Sequence, residues 1–182
     1  MTIYQESRFT RSRDWCPRPE WWTSTDPQST EFEVSDLVAG FVRALQPEYV
    51  IETGTCIGQT AYAIGVALKA NGHGHLDTLE TERDRAMHSQ DVCRDLPVTV
   101  NVVASLDFTP AQRVDFAWLD SRLQLRIPEF ERYREWMEPG AIVGFHDTAP
   151  HHGSFGDDIE ALPGLRAIRL RTPRGVTFGQ VL

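Results

Sequence analysis

The segment that most constrains this chain is Glu48 to Thr60, which reads EYVIETGTCIGQT. A short apolar run ends at the acid Glu52, and two glycines, Gly54 and Gly58, separate that acid from a hydrophobic stretch of helical length. This order predicts a buried strand that turns sharply into a helix. Glycine allows a positive φ and a close approach to a ligand, and a helix start offers unpaired N–H groups. The segment therefore predicts a turn that holds a ligand against bare backbone.

Two common nucleotide-binding loops do not match this spacing. A dinucleotide-binding turn reads G-x-G-x-x-G, whereas three residues separate Gly54 from Gly58 here. A phosphate-binding loop ends in Gly-Lys-Ser/Thr, but Gln59 and Thr60 follow the second glycine in this chain. The spacing thus disfavours a nicotinamide-dependent oxidoreductase, and an ordinary glycine-rich turn remains the alternative.

The pattern E-x-G-x-x-x-G-x-[ST] resembles the first motif of class I S-adenosylmethionine-dependent methyltransferases, in particular the catechol O-methyltransferase-like families. The resemblance extends from about Thr30 to the C-terminal end. It implies an α/β fold with a Rossmann-like, doubly wound, mostly parallel seven-stranded sheet and an antiparallel C-terminal hairpin, with S-adenosyl-L-methionine as cofactor. The residues that it assigns to cofactor binding are Glu52, Gly54, Thr55, Gly58, Thr60, Glu80, Ser105 and Asp120.

Acids and a histidine follow several of the short apolar runs that we interpret as parallel strands. Glu80, Asp120 and the pair His146-Asp147 each come at such a position. Functional groups collect at the carboxyl ends of parallel strands, so we expect an active site at this edge of the sheet. Glu80 is the expected acceptor of hydrogen bonds from ribose hydroxyls, with Glu82 as its near competitor.

The resemblance also implies a metal site. In the catechol-like families, acids after strand four and an Asp-Asn pair after strand five hold magnesium. Asp120 matches the first position and His146-Asp147 stand at the second. We therefore predict that these three residues form the catalytic group and bind a divalent ion, Mg²⁺ or Mn²⁺, with His146 as general base or metal ligand. A structural His-Asp hydrogen bond without metal is the alternative, and His151 and His152 are further candidates for the base.

The acceptor is less constrained than the cofactor. Leu123 stands where catechol methyltransferases carry a lysine base, so catechol itself is a poor candidate. The sequence GFHDT at 144–148 resembles a broader methyltransferase family that includes enzymes that methylate sugar hydroxyls, although this chain lacks the histidine that commonly follows the strand-four Asp in that family. We predict O-methylation of a small-molecule or sugar hydroxyl. Metal-independent N- or carboxyl-methylation and a non-catalytic adenosylmethionine-binding module remain alternatives.

Composition narrows the other function classes. The 182 residues suffice for one domain, and the net charge of -8 without a basic cluster argues against a nucleic-acid partner. No apolar run reaches the ~20 residues of a membrane span, and the polar start lacks a signal-peptide core, which predicts a cytoplasmic protein. A homo-oligomer is left open.

We divide the chain into a Trp/Pro-rich N-terminal arm, 1–29, and a methyltransferase domain, 30–182. The arm could cover the cofactor, form a wall of the substrate pocket, or pack on the domain or on an oligomer partner.

Three local patterns complete the predictions. Thr30-x-x-Glu33 matches a capping box at a helix start, and Pro128 fits the first turn of a later helix. Four arginines near the C-terminal end are expected on a solvated surface, with the docking of an anionic acceptor as the alternative: Arg166, Arg169, Arg171 and Arg174.

Overall fold

A computed structural model gives the fold and describes residues 14–182; residues 1–13 of the predicted arm lie outside the described part. The helices are α1 (Phe32–Leu45), α2 (Gln59–Asn71), α3 (Arg83–Val92), α4 (Leu123–Tyr133) and α5 (Phe155–Glu160). The strands are β1 (Tyr49–Thr53), β2 (His75–Glu80), β3 (Val98–Val102), β4 (Phe116–Leu119), β5 (Ile142–His146), β6 (Leu165–Leu170) and β7 (Val176–Val181).

The strands form one sheet in the order β3-β2-β1-β4-β5-β7-β6. Strands β1 to β5 pair in parallel, and β7 pairs antiparallel with both β5 and β6. The predicted doubly wound α/β fold with an antiparallel C-terminal hairpin is therefore confirmed.

The central strands are apolar because helices cover both faces of the sheet. Every residue of β1 and of β4 is buried. One hydrophobic cluster joins the sheet to Phe130 and Tyr133 of α4, and a second joins it to Val38 of α1 and Ile64 of α2. Strands buried on both faces read as continuous apolar runs rather than as alternating ones, which explains why the sequence pattern identified them.

Strand register brings the predicted site residues to one edge. The last residue of β1, Thr53, pairs with Leu79 on one side and with Leu119 on the other, and Leu119 pairs with Phe145. The residues that follow these pairs therefore emerge together at the carboxyl edge. Because strand order reverses between β1 and β4, a crevice opens at this point.

Two predictions about helix starts were wrong. Helix α1 begins at Phe32, and its cap residue Glu31 makes no side-chain capping bond. The Glu33 carboxylate instead accepts bonds from the backbone and hydroxyl of Thr23. Pro128 lies inside α4 rather than in its first turn. In α1, bonds to residues outside the helix replaced the local capping pattern.

The described part of the arm packs on the C-terminal hairpin. It contains a short 3-10 helix, Pro19–Trp21. The Trp15 indole donates to the Thr172 carbonyl at 3.0 Å, and the guanidinium groups of Arg169 and Arg171 each lie 5.5 Å from its ring. An aromatic side chain of the arm, Trp15, thus anchors this segment to the hairpin. Within residues 14–182, no helix has the length and apolarity to cross a bilayer.

Candidate active site

The turn between β1 and α2 depends on its two glycines. Gly54 and Gly58 have φ values of 81° and 83°. A Cβ atom on Gly54 would lie 2.4 Å from the backbone oxygen of Asp120, so a side chain cannot fit there. Gly58 is the N-cap of α2 in the left-handed conformation. The sharp turn from strand to helix that the sequence predicted is present, and it brings backbone close to the end of β4.

A cleft of about 300 Å³ opens over this turn. Four predicted cofactor residues line it, namely Gly54, Thr55, Thr60 and Asp120. Gln28, Ser29 and Thr30, at the boundary between arm and domain, line it as well. The remaining predicted cofactor residues, Glu52, Gly58, Glu80 and Ser105, lie outside this lining.

Glu80 is fixed at the end of β2 by backbone donors. Its Oε2 accepts from the Cys56 N–H at 2.8 Å, and its Oε1 accepts from the N–H groups of Thr81 and Glu82 at 2.8 and 2.9 Å. These bonds link the carboxylate to the glycine turn and set its direction. The competing acid Glu82 is exposed at the start of α3. The geometry therefore favours Glu80 over Glu82 as a ligand-binding acid.

Glu52 supports the turn from beneath instead of lining the cleft. The residue is 1% exposed, and its Oε2 accepts from the Thr78 hydroxyl at 2.5 Å. The Thr78 hydroxyl also meets that of Thr55 at 2.6 Å. Burial raises the pKa of Glu52 to about 8, so its carboxyl group is mostly protonated at neutral pH.

Ser105 lies against a buried acid that the sequence did not reveal. The hydroxyl groups of Ser105, Ser121 and Thr53 all donate to the Glu129 carboxylate of α4, the last two at 2.6 and 2.8 Å. Burial raises the pKa of Glu129. Only the packing of α4 against the strand ends identifies Glu129 as part of this site.

A charged cluster lies beside the cleft, at the ends of β4 and β5. The predicted residues Asp120, His146 and Asp147 come together there, with candidate ligand atoms within 4.8 Å of one another. Three residues that the sequence reasoning did not assign to this site complete the cluster. We use the term charged cluster for Glu31, Asp120, Arg126, His146, Asp147 and Arg174.

His146 is enclosed between acids. Its Nε2 lies 2.8 Å from Glu31 Oε2, its Nδ1 lies 3.1 Å from Asp120 Oδ1, and the residue is 0% exposed. Burial alone would lower the pKa of His146, but the carboxylates of Asp120 and Asp147 outweigh burial and raise the pKa to about 9. A protonated and enclosed imidazole cannot take a proton from an acceptor. The geometry does not support the predicted role of His146 as general base.

The two aspartates are paired with arginines. Arg126 Nη2 lies 2.9 Å from Asp120 Oδ1 and 3.0 Å from Asp147 Oδ2. Arg174 donates to both oxygens of Asp147, from Nε at 2.6 Å and from Nη2 at 3.0 Å. Burial alone would raise the pKa of Asp147, but His146 and the two guanidinium groups hold it well below its usual range. The expectation of a solvated Arg174 was wrong, since this residue is 7% exposed.

The cluster does not fit a divalent ion as it stands. Two carboxylates and an imidazole are suitable ligand types. However, each candidate ligand atom of Asp120, His146 and Asp147 already has a hydrogen-bonding partner. An ion would have to displace a guanidinium group from a buried carboxylate. The predicted residues are thus brought together, while the binding of a metal stays a prediction.

His152 also reaches the cluster. Its Nε2 lies 3.3 Å from Asp147 Oδ1, and its side chain is 20% exposed. The neighbouring His151 is exposed, and the two rings are 4.2 Å apart. His152 therefore combines an aspartate neighbour with access to solvent, which His146 lacks.

Comparisons with known proteins identify the family of this chain. A family model described as Methyltransferase domain matches residues 51–148. No curated protein matches the chain at the sequence level.

Several solved structures share the fold. A putative O-methyltransferase from Klebsiella pneumoniae has a TM-score of 0.71 and 18% identity, over 97% of this chain and 90% of that chain. The O-methyltransferase TomG from Streptomyces achromogenes, solved with SAM, has a TM-score of 0.72 and 16% identity, over 100% and 92%. An O-methyltransferase from Bacillus cereus, solved with SAH, has a TM-score of 0.72 and 16% identity, over 100% and 94%.

The structural similarities, at these low identities, establish the fold. The matched family model covers more than half of the chain, including the glycine turn, Glu80, Asp120 and the pair after β5. The predicted family is therefore confirmed: this chain belongs to the methyltransferase domain family, as a class I S-adenosylmethionine-dependent methyltransferase.

Proposed function

We propose that this protein transfers the methyl group of S-adenosylmethionine to a hydroxyl oxygen of a small molecule, with a sugar hydroxyl among the candidates. The observation that carries the proposal is the cleft at the carboxyl edge of the sheet, which places the glycine turn beside Asp120. The three structural neighbours described above are named as O-methyltransferases, and two of them were solved with SAM or SAH bound.

The cofactor would lie along the ends of β1 and β2. The N–H groups of the Gly54–Thr60 turn suit the carboxylate of its amino-acid tail. Glu80 Oε2, which accepts one backbone bond, retains a lone pair for a ribose hydroxyl. Ser105 would stand beside the adenine, with its hydroxyl held by Glu129.

The sequence divides the chain into an arm, 1–29, and a methyltransferase domain, 30–182, and the described end of the arm would cover this cofactor. Three contacts support the assignment. The Thr25 hydroxyl donates to Gln59 at 2.9 Å, Arg85 donates to Gln28 at 3.1 Å, and Arg174 donates to the Ser29 carbonyl at 3.0 Å. They hold the end of the arm between the cofactor turn, α3 and the charged cluster.

His152 would be the base that removes the acceptor proton. A hydroxyl is a weak nucleophile at neutral pH unless a base accepts its proton. Asp147 Oδ1 lies 3.3 Å from Nε2, which has no hydrogen-bonding partner among the residues that the structure describes. A small rotation of the ring would let Asp147 orient the imidazole through Nε2 and leave Nδ1 to take the proton. The predicted catalytic residues Asp120 and His146 would then not contact the acceptor. They would fix the position of Asp147 and of the strand ends.

Calorimetric titration with S-adenosylhomocysteine tests the cofactor site. We expect binding by the wild-type protein, its loss in Glu80→Ala, and its retention in Glu82→Ala, because only Glu80 faces the turn. Glu82→Ala is a matched control since the two acids are two residues apart. Absence of binding by the wild-type protein would overturn the proposed function.

The base is tested by His152→Gln, with His151→Gln as its control. With hydroxyl acceptors, we expect His152→Gln to lower kcat by about 10²–10⁴-fold, while the KM for S-adenosylmethionine stays unchanged. His151→Gln should remain near the wild-type rate. Equal turnover by the two variants would exclude His152 as the base.

A further inference from the structure

Arg126 lies between the two aspartates that the family pattern assigns to a metal. The residue is 3% exposed. Its Nη2 contacts one oxygen of Asp120 and one of Asp147, as a bridging cation would. The same guanidinium donates to two backbone carbonyls, Ser121 O at 2.6 and 2.9 Å and His146 O. One side chain thus ties the end of β4 to the end of β5 through oxygen atoms alone.

Arg174 completes the coverage of Asp147 from the hairpin between β6 and β7. Its two bonds to Asp147 use both carboxylate oxygens, in the bidentate arrangement that guanidinium groups favour. Its own backbone N–H lies 3.3 Å from Glu31 Oε1. A metal ion that approached Asp147 would therefore compete with two guanidinium groups at once.

The acids of the charged cluster already have partners without an added ion. Arg126 contacts Asp120 and Asp147, Arg174 contacts Asp147, and His146 contacts Glu31. Buried charges are stable only when they are paired and hydrogen-bonded. A divalent cation would therefore add positive charge beside two buried guanidinium groups.

We propose that the Arg126 guanidinium takes the place of a divalent cation between Asp120 and Asp147, so that this site binds no metal ion. Arg126 is then a positioning residue: it fixes the distance between the ends of β4 and β5 and holds Asp147 beside His152. The relevance to methyl transfer rests on the proposed function, whereas the absence of metal binding does not.

Manganese titration followed by electron paramagnetic resonance tests this proposal directly. We expect no saturable Mn²⁺ binding by the wild-type protein, and no change in its thermal midpoint or its S-adenosylhomocysteine affinity after chelation. Arg126→Met removes the bridging cation and leaves the carboxylates and imidazole in place. We expect this variant to bind one Mn²⁺ per chain and to gain thermal stability when Mn²⁺ is added.

Arg122→Met is the matched control, because this exposed arginine immediately precedes α4. It should behave as the wild-type protein does. The double variant Arg126→Met/Asp120→Asn should lose the acquired Mn²⁺ binding. A purely structural role of Arg126 would lower stability without creating a metal site.

The proposal would be overturned by stoichiometric Mn²⁺ binding to the wild-type protein that Asp120→Asn abolishes. A folded Arg126→Met that fails to bind Mn²⁺ would equally contradict the substitution of a cation by Arg126. If Arg126→Met does not fold, the wild-type titration decides. Failure of S-adenosylhomocysteine to bind would overturn the proposed function and leave the Mn²⁺ result intact.

Discussion

Glu52 and Asp147 are both buried carboxyl groups at strand ends, but the protein keeps them in opposite states. Glu52, on the cofactor side, is surrounded by hydroxyl groups and by other acids, and burial raises its pKa to about 8. Asp147, on the side of the charged cluster, is paired with two guanidinium groups and a histidine that lower its pKa. The first group gives up its charge, and the second keeps it.

The difference shows two ways to bury an acid beside a ligand site. A neutral carboxyl group needs only a hydroxyl donor from an adjacent strand, as Thr78 provides for Glu52. A buried carboxylate that stays ionised needs cationic partners, and these must be removed from water as well. The neutral Glu52 therefore needs only a partner from the adjacent strand, whereas the charged cluster depends on partners from distant parts of the chain.

Loss of a buried cation should have the largest effect. Arg174→Met leaves Asp147 with fewer partners, and removal of one member of a buried pair costs about 3–5 kcal/mol of unfolding free energy. Urea denaturation would measure the loss. Arg166→Met, an exposed arginine in β6, is the control and should change stability by less than about 0.5 kcal/mol. Similar losses of unfolding free energy in the two variants would contradict the view that Asp147, unlike Glu52, depends on buried cations.

The state of Glu52 should appear as a pH dependence. Its folded pKa of about 8 lies above its ordinary value of 4.5. The folded protein thus retains a proton that the unfolded chain releases, and stability falls as pH rises from about 4.5 to about 8. Glu52→Gln should abolish this component. The free energy of unfolding of the variant should therefore rise relative to that of the wild-type protein by about a few kcal/mol across that range.

Urea denaturation of both proteins at a series of pH values would measure this component. The difference between them isolates Glu52 from His146, which titrates in an overlapping range. A difference that stays constant with pH would show that Glu52 is ionised in the folded protein, like Asp147.

Close approach at the glycine turn should give a smaller effect. Gly54 and Gly72 share a φ of 81°, but a Cβ atom meets the Asp120 backbone only at Gly54 and finds nothing within 4 Å at Gly72. Gly72→Ala should cost about 1–2 kcal/mol for the left-handed conformation alone. Gly54→Ala should cost about 1–3 kcal/mol more because of the clash, and it should also weaken S-adenosylhomocysteine binding. Thermal denaturation of both variants, with calorimetry for the ligand, would compare them; equal losses would contradict the importance of the close approach.

The sequence predicted the backbone of the glycine turn better than the full membership of the charged cluster. The strand β1, its turn and α2 are contiguous, so their apolar pattern and glycine spacing are visible in one segment, Glu48 to Thr60. Asp120, His146 and Asp147 were identified because parallel strands bring their carboxyl ends to one edge. Arg174 was misjudged because a cation after a proline in a turn has the pattern of a solvated residue.

The predicted start of α1 was wrong for a related reason. Thr30 has the sequence of a capping residue, yet its hydroxyl donates to Asp120 at 2.7 Å, and Glu31 meets His146 across the sheet edge. A local capping bond and a tertiary bond compete for the same side chain. The tertiary partner is separated by 90 residues in the first case and by 115 in the second, so local pattern cannot reveal it.

By itself, the sequence determined the parallel sheet, the glycine turn and the acids at the strand ends, because each follows from spacing within a short segment. Only the tertiary structure decided which of these acids keep their charge. That outcome depends on Arg126 from α4, Arg174 from the hairpin and Glu31 from the start of α1, which meet only after the sheet has formed. Spacing fixes where a side chain emerges, but charge in a buried site is set by the neighbours that folding brings to it.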